Sequence, residues 1–191
     1  MAIQRRLPPG RRREQVVDAA ERVFAERPYE EITMDVVAEE AGISRALLYR
    51  HFPGKPALFA AVYQRAADRL LASVHVDPDA PLEGQIVAGL DAHFDYFLAN
   101  RHAVLAANQT LAADPVVQGI INSELEALRD RIADAIDLDH VARQRLSALV
   151  ISWLAFVRVL CVQWLAEQNF TRDELRAICV NALGAVLEAR L

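Results

Sequence analysis

The sequence predicts an all-α fold of about nine helices, and three observations support this prediction. Hydrophobic residues make up 53% and charged residues 25% of the 191 residues, so the chain can bury a sizeable core. The helix formers Ala and Leu are abundant, whereas 7 Gly and 8 Pro are present to make turns. Apolar side chains recur at helical spacing in successive segments, and no segment alternates as a strand does. These observations exclude an all-β fold.

A basic arm and a first helix are predicted at the amino end. Residues 1–13 carry five arginines and no acidic residue. We expect the arm to cover residues 1–10, because its last three residues, Pro-Pro-Gly, disfavour a helix. Apolar side chains then recur at helical spacing over residues 11–27, and Pro28 ends this helix.

Two short helices joined by a turn follow the first helix. Thr33 is a good N-cap for a helix over residues 34–41, and Gly42 closes that helix in a left-handed conformation. Ser44 caps the next helix, over residues 45–52, which a Pro-Gly pair ends. Two short helices with such a turn are typical of a helix-turn-helix.

Six further helices are predicted after residue 54. We expect them over residues 55–75, 82–100, 102–113, 115–136, 140–168 and 172–191. Asp114 is placed as an N-cap, Asp139 or His140 begins the long helix, and the segment from Thr171 to Glu174 is a capping box. Two domains are expected, residues 1–54 and residues 55–191.

The composition also excludes several classes of site. Cys161 and Cys179 lie in apolar helical patterns without a second ligand at metal spacing, which disfavours a disulfide or zinc site. The chain has no glycine-rich phosphate loop and no catalytic triad in a recognisable context, so we expect neither an enzyme nor a cofactor or metal.

One apolar segment, residues 148–165, is almost long enough to span a bilayer. Ser152, Arg158 and Gln163 interrupt it, and an arginine in lipid is costly. A buried helix is therefore predicted. Because residues 1–13 also lack the apolar stretch of a signal peptide, we expect a soluble, cytoplasmic protein with no membrane partner.

The second short helix exposes donors and an aromatic ring suited to phosphates and base edges. The outward residues are Arg45, Ala46, Leu47, Tyr49 and Arg50, followed by His51 and Lys55. This pattern is typical of a DNA-recognition helix, and a structural helical corner with a solvated basic face is the alternative.

The segment from Ile32 to Phe59 contains the sequence Leu-Tyr-Arg-His-Phe, with a lysine three residues later. With this motif, residues 16–58 resemble the DNA-binding module of the TetR family of bacterial transcription regulators. The resemblance implies a three-helix DNA-binding domain in residues 1–54 and a larger, helical effector-binding and dimerisation domain in residues 55–191.

The resemblance also implies DNA contacts by position. The family's phosphate-contacting residues correspond to Thr33, Tyr49, His51 and Lys55. Arg45 and Ala46 correspond to residues that face the major groove, and Arg50 reads a base or a phosphate. Leu47 departs from the small or hydroxylated residue common at its position, so its contact would be apolar. Pro28 stands where the family usually has glycine.

The expected function is that of a ligand-responsive regulator, more often a repressor, released from a palindromic operator by a small hydrophobic effector. The family commonly dimerises through its last two helices, here residues 140–168 and 172–190, both apolar on more than one face. An architectural DNA-binding protein without an effector is the alternative, and an apolar cavity in the larger domain would discriminate between the two.

The family places its effector pocket among the larger domain's helices. The side chains expected to line it here are Tyr96, Phe97, Val104, Asn108, Leu111, Ile121, Leu125, Trp153, Phe156, Val157 and Leu160. Arg158 either meets an acidic ligand or pairs with a carboxylate.

Overall fold

Nine α-helices and one 3₁₀ helix form the regular structure of the described residues 9–73, 80–134, 136 and 139–188 in the computed structural model. The helices are α1 (Pro9–Glu26), α2 (Met34–Glu40), α3 (Arg45–His51), α4 (Lys55–Ser73), α5 (Leu82–Ala99), α6 (Arg101–Asn108), α7 (Pro115–Asp134), α8 (His140–Glu167) and α9 (Arg172–Glu188). The 3₁₀ helix, Tyr29–Glu31, was not predicted. No strand occurs within these ranges, so the all-α fold is confirmed.

Most helix ends lie within two residues of the prediction, and two of the differences have a clear physical cause. α1 begins at Pro9, inside the expected basic arm, because proline is compatible with a first helical turn. The rest of the arm, residues 1–8, lies outside the described residues. α6 ends at Asn108 instead of residue 113, and residues 109–113 form turns. The Asn108 side chain donates to the Val104 carbonyl (2.7 Å), a local bond that competes with helix continuation.

The predicted caps are confirmed. Thr33 Oγ1 accepts from Val36 N, and Asp114 Oδ1 accepts from two amides of the first turn of α7. Asp139, one of the two residues predicted to begin α8, lies just before that helix and also accepts from two amides of its first turn. Thr171 and Glu174 form the reciprocal bonds of a capping box at α9. The helix starts are therefore specified locally, before any tertiary packing.

Two hydrophobic clusters hold the chain together. The first joins α1, α2 and α3 to the first half of α4 and continues into α6 and α7. Its centre is an aromatic group in which the Phe59 ring lies 5.3 Å from both Phe24 and Tyr29 and 5.7 Å from Tyr63. α4 is thus part of the same core as the three helices before it. We call α1–α3 the head and α5–α9 the body, with α4 between them.

The second cluster lies inside the body, where α5 and α6 pack on α8 and α9. Trp153 donates its indole N–H to the Cys179 carbonyl (2.9 Å), which fixes α8 against α9. Cys161 and Cys179 are both buried free thiols within this cluster. Burial raises the pKa of both, as expected for inert packing residues.

α8 is long and apolar enough to cross a membrane by length and composition alone. The core helix of a soluble protein passes the same test. Arg158, in its middle, is 5% exposed and bonds polar side chains of other helices. Phe156 and Val159 of the same segment are 41% and 61% exposed, so the predicted buried helix is buried on one face only.

Candidate functional site

The turn between α2 and α3 is held by backbone geometry and a small core. Gly42 has φ +63°, and the Ile43 amide reaches back to the Ala38 carbonyl (3.0 Å), so the α2 end is closed by a left-handed glycine. Leu48 of α3 is fully buried beneath this turn. α3 is therefore held rigidly with its opposite face outward.

The outward face of α3 carries the residues predicted to read bases. Arg45, Ala46, Tyr49 and Arg50 are exposed, and Leu47 is half-buried. Arg45 Nη1 lies 3.2 Å from Asp35 Oδ2, and its guanidinium lies 5.5 Å from the Tyr49 ring centroid. Both charged side chains are more than half exposed, so this ion pair is weak and can open when another acceptor arrives.

Thr33 and the start of α1 extend this surface. Thr33 is exposed, and its hydroxyl oxygen caps α2 while its O–H remains able to donate outward. α1 begins with three successive arginines from Arg11, and the guanidinium of Arg13 lies 5.0 Å from the Phe52 ring centroid. The basic start of α1 thus lies beside the end of α3.

Lys55 and His51 are less available than the resemblance implies. Lys55 Nζ donates to the Tyr29 carbonyl (2.8 Å) and lies 4.1 Å from the Tyr29 ring centroid, so it ties α4 to the 3₁₀ helix. His51 is half-buried, and its Nε2 is buried without a hydrogen-bond partner among the described residues. His51 must turn its ring to present Nε2 to a phosphate, whereas Lys55 keeps N–H donors beyond the one that it gives to Tyr29.

A buried polar cluster around Arg158 joins α4 to the body. Arg158 Nη2 donates to the Tyr63 hydroxyl (2.5 Å), and its Nε donates to Asn108 Oδ1 (3.1 Å). Its Nη1 lies 3.5 Å from Glu124 Oε2, and the guanidinium stacks 5.6 Å from the Phe97 ring centroid. The structure therefore pairs Arg158 with a carboxylate and connects α8 to α4, α6 and α7.

Burial sets the ionisation of this cluster. Glu124 is 1% exposed, and burial raises the pKa of its carboxyl, an effect that the charge of Arg158 opposes. Burial also raises the pKa of Tyr63 to about 12, so its hydroxyl stays protonated. Glu124 and Arg158 thus depend on each other, since each charge would be costly alone in this core.

We expect Glu124→Gln to lower the free energy of unfolding by about 3 kcal/mol, because it leaves the buried charge of Arg158 without its counter-ion. Urea denaturation at neutral pH measures this change. Glu126→Gln, at an exposed position on the same helix, is the matched control and should change stability little. Unchanged stability in Glu124→Gln would mean that Glu124 is already uncharged in the folded protein.

A cavity of about 90 Å³ lies in the body, between α4, α5, α7 and α8. Its wall is apolar apart from three side chains, Gln85, His93 and Arg131. The apolar part is formed by Leu70, Leu82, Ile86, Gly89, Leu90, Leu125, Leu128, Ile132, Trp153, Leu154 and Val157. A concave apolar site with few polar groups is the usual form of a small-molecule site.

The predicted pocket agrees with this cavity in part. Leu125, Trp153 and Val157 line it. The other eight predicted residues, Tyr96, Phe97, Val104, Asn108, Leu111, Ile121, Phe156 and Leu160, do not.

These eight residues do not line the cavity because of their positions along and around their helices. Phe97 lies one turn of α5 beyond the lining residue His93 and is fully buried. Leu111 and Ile121 belong to the first core cluster, and Asn108 is bonded to Arg158. Phe156 points outward from α8, with 41% of its surface exposed.

Sequence reasoning missed the α5 side of the cavity. Ile86 and Leu90 follow the helical spacing, and His93 continues the same face as a polar residue in an apolar row. This polar residue in an apolar row is the signal that identifies the α5 side of the cavity, because a histidine on a buried face needs a hydrogen-bond partner.

Comparison with known proteins agrees with these observations. The family model for bacterial regulatory proteins of the tetR family matches residues 16–62, the segment that forms the helix-turn-helix and the start of α4. The HTH-type transcriptional activator FasR of Mycolicibacterium smegmatis is 32% identical over 137 residues, which are 70% of this chain and 63% of that protein. The HTH-type transcriptional regulator EthR of Mycobacterium tuberculosis is 31% identical over 128 residues, 60% of this chain and 59% of that protein. The chain thus spans about three fifths of the length of both relatives.

Solved structures extend the similarity to the body. A tetR-family transcriptional regulator from Streptomyces coelicolor has a TM-score of 0.84 at 26% identity, covering 96% of this chain and 83% of that one. A TetR transcriptional regulator from Rhodococcus sp. RHA1 has a TM-score of 0.71 at 18% identity, covering 94% and 98%.

The fold and the exposed α3 define a DNA-binding protein of the helix-turn-helix class with a helical body. Within that class, residues 16–62 match the tetR family of bacterial regulatory proteins, and the whole fold is similar to that of a tetR-family regulator.

Proposed function

We propose that this chain is a dimeric repressor that leaves operator DNA when a small apolar ligand enters the body cavity. The observation that carries the proposal is the position of α4. Its first residue, Lys55, bonds the head, and Leu70 near its other end lines the cavity. A change in the cavity can therefore move the element on which the head rests.

DNA recognition is proposed for the outward face of α3 and the surface around it. Arg45 and Ala46 face the major groove, with Leu47 beside them and Arg50 on a base or a phosphate. Thr33, Tyr49, His51 and Lys55 bind phosphates, His51 after the turn of its ring described above. Because its proposed binding partner is DNA, the protein acts in the cytoplasm.

The two domains carry separate tasks in this proposal, with DNA binding in residues 1–54 and ligand binding and dimerisation in residues 55–191. The cavity supports a ligand-responsive protein over an architectural one, because a body without a ligand would be expected to fill its core.

We expect Arg45→Ala to weaken operator binding by about 1–3 kcal/mol and to relax the preference at one base pair. Lys55→Ala should weaken binding to all sequences and lower the salt slope by about one. Fluorescence anisotropy with operator and scrambled duplexes measures both. Arg145→Ala, which removes the same charge from an exposed site in the body, is the control. Equal losses on both duplexes in Arg45→Ala would contradict base reading.

The ligand is proposed to act by favouring an expanded body. A cavity of about 90 Å³ is smaller than the about 150 Å³ that holds benzene in an engineered apolar core. A bound ligand therefore favours a state in which the cavity helices, α4 among them, have moved apart. By linkage, a ligand that prefers this state lowers the affinity for DNA of the state shown here.

A variant that fills the cavity should lose ligand binding and still fold. Gly89 lines the cavity, and a Cβ built on it meets no atom within 4 Å. We expect toluene to raise the Tm of the unchanged chain and to weaken its binding to DNA. Gly89→Leu should abolish both effects, because its side chain would occupy this space.

Gly84→Leu is the matched control, because Gly84 lies on the same helix, has equally open surroundings and does not line the cavity. This variant should retain the response to toluene. A response that survives in Gly89→Leu would place the ligand elsewhere.

Dimerisation is proposed through α8 and α9. Phe156 and Val159 lie one turn apart on α8 and are 41% and 61% exposed, beside the small residues Ser152 and Ala155 on the same face. An apolar helix face of this kind costs free energy in water and is typical of an interface. A second copy of the chain would cover it in a symmetric four-helix arrangement.

We expect Phe156→Asp combined with Val159→Asp to give a monomer in sedimentation velocity at micromolar concentration, because the two charges would be buried without partners in the dimer. Val116→Asp changes an equally exposed valine at the start of α7 and should leave the dimer intact. A monomeric unchanged chain would contradict the proposal directly.

A further inference from the structure

Arg131 is a charged residue in the mostly apolar wall of the body cavity. It lies near the end of α7, is exposed to solvent, and lines the cavity together with Leu70 of α4. Its Nη1 donates to the carbonyl of Leu71, the next residue of α4. This bond holds the guanidinium at the rim of the cavity, beside the last turn of α4.

The rim beside Arg131 is the mouth of the cavity. Leu82, at the start of α5, is 37% exposed and lines the cavity, and Gln85 of the same helix is a half-buried lining residue. Leu90 and Val157 also line the cavity and are buried, so they form its interior. An apolar molecule in this cavity would therefore have its outer end beside Arg131.

The charge of Arg131 has no carboxylate partner in the part of the chain that the structure describes. On the same helix, Asp130 pairs with Arg129. Asp134 pairs with Arg143 of α8. The bond to the α4 carbonyl uses only part of the donor capacity of a guanidinium, which carries several N–H groups. Arg131 can thus bind an anion without giving up an ion pair.

A carboxylate matches this mouth in charge, shape and solvation. It is planar and accepts bidentate hydrogen bonds from a guanidinium. Because Arg131 is exposed, a carboxylate bound there keeps part of its water shell, so the cost of burying a charge stays small. A ligand ammonium would meet the charge of Arg131, and none of the described residues that line the cavity is acidic.

We propose that the body cavity binds a small apolar molecule that ends in a carboxylate, with the apolar part inside and the carboxylate on Arg131 at the mouth. The inference rests on the proposed function in that it names the ligand class of the same cavity. Because Arg131 also bonds the last turn of α4, such a ligand would act directly on the helix between the head and the body.

The experiment compares three probes of similar size on the full chain by titration calorimetry: phenylacetate, phenylacetamide and 2-phenylethylamine. The amide has the shape of the carboxylate without its charge. We expect phenylacetate to bind about tenfold more tightly than phenylacetamide, a modest gain for a charged hydrogen bond because the mouth is exposed. The amine should bind more weakly than the amide. Added salt should narrow the preference for phenylacetate, since exposed charges are screened.

Two variants assign the preference to the guanidinium. Arg131→Gln should bind phenylacetate no more tightly than phenylacetamide, and its unchanged affinity for the amide would show that the cavity is intact. Arg131→Lys keeps the charge without the bidentate geometry, so it should keep part of the preference. Arg145→Gln is the matched control, because it removes the same charge from an exposed site on α8 that does not line the cavity. This control should keep the full preference.

Several results would overturn the inference: equal affinities for phenylacetate and phenylacetamide, tightest binding by the amine, a preference that survives in Arg131→Gln, or no binding of any probe. The proposed function fails separately. If phenylacetate binds with the expected preference and the affinity for operator DNA stays unchanged, the ligand class stands and ligand-controlled release of DNA is refuted. If toluene releases DNA and phenylacetate shows no preference over its amide, release stands and the ligand class is wrong.

Discussion

The buried guanidinium of Arg158 is the interaction on which the body depends. A charge in the middle of an apolar helix is tolerated because three other helices supply its partners: Tyr63 from α4, Asn108 from α6 and Glu124 from α7. The hydrogen bonds to Tyr63 and Asn108 have direction, whereas the surrounding leucine and valine contacts do not. One side chain therefore fixes how α4 sits against the body, and α4 in turn carries the head.

Most of the local structure could be predicted from the sequence. Thr33, Gly42 and Ser44 specify the ends of α2 and α3 through bonds within a few residues, so propensity and pattern suffice. The exposed face of α3 follows from the same register once Leu48 is assigned to the core. What the sequence did not reveal is that Lys55 is held by a carbonyl 26 residues away, because that contact depends on how the 3₁₀ helix folds back.

The cavity was predicted less well, for a physical reason. An apolar residue on a helix can face a void, a neighbouring helix or solvent, and helical spacing alone does not distinguish these. Phe156 faces outward and Phe97 fills the core, although both fit the same pattern as Trp153, which lines the cavity. The cavity lies between four helices, and which side chains face it depends on how those helices pack. His93 was visible as a polar interruption, but its unpaired nitrogen emerges only in three dimensions.

The aromatic group of Phe24, Tyr29, Phe59 and Tyr63 bears on how such proteins can be recombined. Because two of its four rings come from α4, a chimera that joins this head to a foreign body at residue 54 would divide a packed core. The exchangeable unit is the head together with the first half of α4. That unit ends at Tyr63, whose hydroxyl accepts a hydrogen bond from Arg158 of the body. A head transferred without this surface would therefore lose part of its core.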